Sequence, residues 1–428
     1  MTDTGVISKF RKNVSVLMMG TVISQALPVL VLPFLSRLYL PAEFGELALF
    51  VGIVASIALL ATGRYEMSIV LPQEDKDAKG LFQLCLNILS GSFGLILVLI
   101  LLLFAFNDRL PELMKWKNWF MLVPVGIFLV GYVQTGQYLL SRNKAFNIIS
   151  RIKVTESVVV SVLGLLIGYV SPGTGGLITA YFISLVSSAL LTWWWSRSYL
   201  QAIPHKPTSK ERKQLAYLYK DFPLFNSIHQ VFDMVQRNGM VFLISYFCGN
   251  ALLGQYSQSL RALRAPLAVI GAAVGQVFFQ EASSRVAAKQ DVRPLFRSVL
   301  VKLSAAGILI FVVLFIWAED IFSIVLGDEW REAGTITKIL IPWLFFNFIA
   351  SPLSNFPLVV NQQRKYVLFS VIGNSLAVLA YVVLSLTGYG FYTAVTGFSI
   401  GMIAFTIFCL VWNYSLTGKA VTGREAKA

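Results

Sequence analysis

Twelve apolar runs, each long enough to cross a bilayer, constrain this chain more than any other feature. About 20 residues of helix span the ~30 Å hydrocarbon layer. The runs lie near 14–38, 45–71, 80–106, 119–141, 154–171 and 176–196, then 223–247, 252–280, 299–318, 335–360, 366–387 and 391–413. Lipid offers no hydrogen bonds, so a spanning backbone must satisfy its own N–H and C=O groups, which a helix does. The expected fold is all-α: a polytopic membrane protein of about 12 transmembrane helices. Composition agrees. The chain is 56% hydrophobic and 13% charged, against roughly 25% charged for soluble domains.

The net charge of +14 follows from where the cations sit. With the N-terminus placed in the cytoplasm, 25 of the 35 Lys and Arg residues fall on that side. They occupy the segments 9–12, 76–79, 142–153, 197–220, 285–302, 364–365 and 419–427. That bias alternates loop by loop, as the positive-inside rule requires, so both termini are expected in the cytoplasm. It accounts for the basicity without nucleic acid as a partner. The apolar run after Lys9, Arg11 and Lys12 is too long for a signal-peptide core, and reads as an uncleaved first span. The longest loop, about 197–222, is basic, and no loop is long enough to house a soluble catalytic domain.

That loop also divides the chain into two similar halves, an N-terminal lobe over 1–205 and a C-terminal lobe over 206–428, six spans each. The stretch Phe34–Tyr39 runs into Phe44-Gly45, and Phe242–Phe247 runs into Leu253-Gly254. Gly45 and Gly254 each mark the turn into the next helix. Arg142–Phe146 is echoed by Gln363–Val367. Six is even, so both halves enter the membrane from one side. The repeats are then parallel, an arrangement suited to alternating access around a central cavity.

Ionisable groups inside spans mark candidate sites, because each costs ~2.5–3.5 kcal/mol at the bilayer centre if it faces lipid. Four arginines lie within spans: Arg64, Arg237, Arg261 and Arg264. The seventh span carries a polar face of Asn226, His229, Gln230, Asp233 and Arg237 at three-and-four spacing. Asp233 and Arg237 are placed to pair. The eighth span adds Gln258 beside its two arginines, with Pro266 following. Arg64 and Glu66 stand toward the cytoplasmic end of the second span. Internal pairing would merely glue the bundle, but the acids expected inside the spans are Asp233 and Glu66, against four arginines. The surplus points to an anionic ligand, and the planar guanidinium fork suits phosphate. Neither the three cysteines nor the two histidines show metal-ligand spacing, and no nucleotide-loop or hydrolase motif is present. No metal, cofactor or catalytic residue is expected, and the chain reads as a transporter, not an enzyme.

Four stretches then carry a likeness. They are Lys12-Asn13 followed by a span with Pro28 and Pro33, Pro41-Ala-Glu-Phe-Gly45, Arg64–Pro72, and Leu326-Gly-Asp-Glu-Trp330 with Ala333-Gly334. In this order they resemble the Wzx-type oligosaccharide flippases of the polysaccharide biosynthesis family, within the multidrug/oligosaccharidyl-lipid/polysaccharide exporter superfamily. The resemblance implies two six-helix bundles in a MATE-like arrangement. It implies export of undecaprenyl-pyrophosphate-linked glycan to the periplasmic leaflet of a bacterial inner membrane, coupled to a proton or sodium ion. Membrane lipids and other polysaccharide assembly proteins are the expected partners. On this reading Arg64, Arg237, Arg261 and Arg264 take the pyrophosphate. Asp233, His229 and Glu66 serve coupling, and Asn226, Gln230 and Gln258 line the polar cavity. A drug/cation antiporter of the same superfamily would need surplus acids instead. A glycan polymerase would need a large periplasmic loop. A peptidoglycan-precursor flippase would share the chemistry but usually carries extra spans.

Overall fold

The computed structural model describes residues 3–105 and 117–422. Side chains are described over 16–105 and 119–418, apart from 225–226, 228–229, 232–233, 236–237 and 265. Twelve long helices make up the fold, and no strand occurs among the described residues. They are α1 (Asp3–Leu35), α2 (Pro41–Ala58), α3 (Asp75–Ala105), α4 (Val123–Arg142), α5 (Phe146–Val170) and α6 (Thr174–Gln201), followed by α7 (Ser227–Cys248), α8 (Asn250–Ala287), α9 (Arg293–Leu326), α10 (Arg331–Leu353), α11 (Gln363–Leu386) and α12 (Phe391–Thr422). Eleven of these are long and apolar enough to cross a membrane among the described residues. In α7 the described apolar part is the shorter Asn238–Cys248. The chain is thus a multi-pass membrane protein. Its exposed Leu, Val, Ile and Phe side chains along α3, α9 and α11 face a solvent that must be lipid.

Several boundaries depart from expectation. The second span does not run unbroken from 45 to 71. Helix α2 stops at Ala58, turns follow, and a 3-10 stretch covers Tyr65–Val70. Gly63 and Arg64 both adopt left-handed backbone, with φ of 60° and 61°. Two successive left-handed residues cannot continue a right-handed helix. Conversely, α1 continues through Pro28 and Pro33, and α8 continues through Pro266. Helix α10 ends at Leu353 and a short turn of helix, Phe356–Val359, follows.

By contact the chain forms two compact units: residues 1–39 with 46–238, and residues 40–45 with 239–428. In the first, α1 packs along α5, α5 along α6, and α4 against both α3 and α6. One core patch gathers Phe50, Val54 and Ala58 with Leu89 and Ile127. The Tyr39 hydroxyl donates to the Gly164 carbonyl oxygen at 2.8 Å. The 3-10 stretch lies against α3 and α4. It is held at its ends: Tyr65 donates to the Ala216 carbonyl oxygen at 3.0 Å, and Arg142 donates to that of Pro72 at 2.6 Å and to Asp75 Oδ1 at 2.8 Å.

In the second unit α10 is the most enclosed element, against α8, α9 and α12. Leu340, Leu344 and Phe348 are buried along it. Two of the stretches that carry the family likeness meet here. The Phe44 ring stands edge-on to Trp330, with centroids 5.3 Å apart, and both side chains are buried. Gln255 Nε2 donates to the Glu329 carbonyl oxygen at 2.6 Å, and Ser259 Oγ to that of Ala333 at 2.7 Å. These stretches therefore hold helix ends together.

Candidate functional site

The break after α2 places a charged corner inside the first unit. Arg64, on left-handed backbone, points its guanidinium toward Glu66, with Nη1 3.2 Å from Oε1. Thr62 Oγ1 donates to the other carboxylate oxygen at 2.5 Å. Glu66 is 1% exposed and Arg64 12%. The ion pair is offset: among the described residues neither Arg64 Nε nor Glu66 Oε1 has a hydrogen-bond partner. Arg64 Nη2 rests on Met67 Sδ at 3.0 Å. The guanidinium therefore keeps an unused buried donor, the feature an incoming anion would satisfy.

Around this corner lies a cavity of about 450 Å³ lined by Leu17, Leu59, Arg64, Glu66, Gln134, Gln137, Tyr138, Ser141, Ile149, Lys153 and Gln230. Helix α4 supplies Gln134, Gln137, Tyr138 and Ser141, which share one helical face by three-and-four spacing. Helix α5 supplies Lys153, whose one hydrogen bond among the described residues runs from Nζ to Thr21 Oγ1, at 3.4 Å. Gln230 arrives from α7. The cavity brings together three expected residues: Arg64, Glu66 and Gln230. It adds Lys153 and the α4 polar face, which sequence reasoning did not single out. The charge pattern puts Lys153 in a loop cluster, whereas in the structure its helix begins at Phe146. The four polar residues of α4 formed a recognisable stripe in the sequence.

The fifth span also holds an acid of its own. Glu156, on α5, accepts from Ser188 Oγ at 2.8 Å. The inventory that opposed only Asp233 and Glu66 to four arginines is therefore corrected to include a third carboxylate, whose partner in the structure is a hydroxyl.

The other expected residues lie elsewhere. Asn226, His229, Asp233 and Arg237 occur on or beside α7, and their side chains fall outside the described residues. Gln258, Arg261 and Arg264 belong to α8 in the second unit. Gln258 is buried, and its Oε1 lacks a partner among the described residues. Arg261 and Arg264 have exposed side chains. The Arg264 guanidinium lies 5.1 Å from the centre of the Trp343 ring, a cation–π placement. Among the described residues, neither arginine has a carboxylate partner.

A family model described as "Polysaccharide biosynthesis protein" matches residues 34–335. No curated protein matches the sequence. Among solved structures, an inward-facing multidrug resistance MATE family transporter of the MOP superfamily aligns at TM-score 0.66 and 15% identity, over 97% of this chain and 99% of that one. The lipid II flippase MurJ, in an inward closed conformation, aligns at TM-score 0.69 and 13% identity, over 94% and 89%. A MOP superfamily transporter from Pyrococcus furiosus, described as having a binding pocket of reverse polarity, aligns at 0.53 and 14%, over 96% of each chain. Identities this low establish a shared fold. With the fold and the sequence match in agreement, the chain belongs to the polysaccharide biosynthesis protein family and has the fold of MOP superfamily transporters.

Proposed function

We propose that this chain is a flippase that moves undecaprenyl-pyrophosphate-linked oligosaccharide from the cytoplasmic to the periplasmic leaflet of a bacterial inner membrane by alternating access. The supporting observation is the buried, unpartnered Nε of Arg64 in a polar cavity that also holds Lys153. A diphosphate supplies an acceptor for that Nε–H and a negative charge for Lys153. The amides of Gln134, Gln137 and Gln230 and the hydroxyl of Tyr138 suit sugar hydroxyls, which donate and accept alike. Membership in a polysaccharide biosynthesis family supports a glycan cargo. The Lys and Arg distribution supports cytoplasmic termini.

In this reading the lobes are 1–205 and 206–428. Arg64 takes the diphosphate on the first. Arg261 and Arg264 on the second, and Arg237 of α7, are the further candidates for binding anionic groups. Glu66 holds Arg64 in place between cycles. Asp233, with His229, carries the coupling proton or sodium ion. Asn226 and Gln258 complete the polar lining. A pump for cationic drugs would want the opposite balance, since among the described residues lining this cavity Arg64 and Lys153 stand against the one carboxylate of Glu66.

The test is reconstitution of the full chain in vesicles with diphosphate-linked and neutral lipid glycans, following head-group translocation. The parent is expected to move the diphosphate-linked lipid selectively, and Arg64→Gln and Arg261→Gln/Arg264→Gln to lose that movement while remaining folded. Equal transport of neutral and anionic lipids, or parental rates in these variants, would overturn the assignment.

A further inference from the structure

A second basic cavity, of about 610 Å³, lies in the second unit and is lined by Arg293, Pro294, Arg297, Ser298, Val301 and Tyr414. Arg293, Arg297 and Val301 follow one another at four-residue spacing along α9, so they form a single ridge. Both arginines are exposed, and among the described residues neither has a carboxylate partner. The backbone N–H of Arg293 donates to Asp291 Oδ1 at 3.0 Å, and its guanidinium packs over Gly418 of α12. Tyr414, on α12, is fixed from beneath: its ring stands 5.7 Å from that of Phe296, while Phe296 itself is wholly buried.

The polarity of this cleft changes along its length. At the head of α9 are two guanidiniums and the hydroxyls of Ser298 and Tyr414. One turn further, the ridge becomes apolar at Val301, which is 54% exposed. On α12, exposed Val411 and Ile407 follow Tyr414 at three-and-four spacing along the same helical face. A free inorganic anion would use only the arginines and gain nothing from the apolar end. A molecule with a phosphate at one end and acyl chain at the other uses both.

We propose that this cleft is a binding site for an anionic phospholipid of the surrounding membrane. Its phosphate bridges Arg293 and Arg297, its glycerol backbone lies by Ser298 and Tyr414, and one acyl chain follows the Val301 and Val411 surfaces. This lipid is separate from the transported cargo, and the site is built from residues to which the transport cycle assigns no role. Basic groups at the headgroup level attract anionic lipid by about fivefold each.

The experiment is native mass spectrometry of the intact chain released from micelles that contain equal phosphatidylglycerol and phosphatidylcholine. The parent should retain phosphatidylglycerol preferentially. Arg297→Gln should weaken that retention about fivefold, and Arg293→Gln/Arg297→Gln further. Arg297→Lys keeps the charge and should retain most of the preference, which separates loss of the site from loss of the fold. Added inorganic phosphate should not displace the lipid. Displacement by inorganic phosphate would replace the lipid site with a simple anion site. Unchanged phosphatidylglycerol retention in the double variant, or equal retention of phosphatidylcholine by the parent, would overturn the proposal.

Discussion

Gly45 and Gly254 form a reciprocal backbone crossing. A side chain on Gly45 would overlap the carbonyl oxygen of Asn250, and one on Gly254 would overlap that of Pro41. Each glycine therefore packs on the carbonyl four residues before the other. Both positions belong to the same compact unit, which takes in residues 40–45 with 239–428. The first turns of α2 and α8 thus touch at backbone distance, as small residues allow between membrane helices. The symmetry matches the internal repeat that pairs these two glycines in sequence.

Gly45→Ala and Gly254→Ala should each destabilise the protein, because a rigid carbonyl cannot yield to the new methyl. Overpacking of this kind costs about 1–3 kcal/mol. The double variant should cost less than the sum of the singles, since either one already forces the helices apart. Thermal unfolding in detergent reads this out. Two silent single variants would contradict the close approach.

Arg64 and Glu66 allow the structural and transport roles to be separated. Removing one member of a buried ion pair costs about 3–5 kcal/mol, because the other charge is left uncompensated. Arg64→Ala should therefore lower the unfolding temperature. Arg64→Ala/Glu66→Gln should restore much of it, since a neutral amide can stay bonded to Thr62. Transport of diphosphate-linked lipid should not return in the double variant. Recovery of both properties together would make Arg64 a purely structural residue.

Lys153 presents the converse case. Its one hydrogen bond among the described residues is the 3.4 Å contact to Thr21, so Lys153→Gln should leave unfolding nearly unchanged, within about 0.5 kcal/mol. Transport of the diphosphate-linked substrate should fall about tenfold, the scale of one charge-assisted contact. Rates measured in vesicles beside unfolding curves decide it, and a parental rate would remove Lys153 from the site.

The helix Ser209–Leu218 makes a pH-dependent prediction outside the spans. It opens with a capping box: Thr208 Oγ1 accepts from the Glu211 N–H, and the Thr208 N–H donates to Glu211 Oε2. That backbone bond, with the Thr208 hydroxyl and His205 beside it, holds the Glu211 carboxyl below the usual carboxylate range. A lowered carboxyl contributes its stability above its ordinary pKa and loses it as pH falls through the folded value. Amide protection factors over 209–218 should therefore drop on acidification below about pH 4. Glu211→Gln should remove most of that dependence, and an unchanged pH profile in this variant would count against the cap.

The sequence by itself determined what hydrophobicity and charge dictate. Apolar length set the helices, the Lys and Arg bias set their expected orientation, and duplicated stretches around Gly45 and Gly254 exposed the repeat. Each of these is local or periodic, and each survives translation into any packing. Arg64 was also visible, because a guanidinium inside an apolar run is costly wherever it points. Only the tertiary structure decided that the second span breaks at Gly63 and Arg64, since a left-handed turn is chosen by what packs around it. It alone brought Lys153 of α5 and the polar face of α4 to that corner. Contacts between helices far apart in sequence have no periodic signature, so side chains that look like ordinary loop or core residues become site residues only when the helices meet.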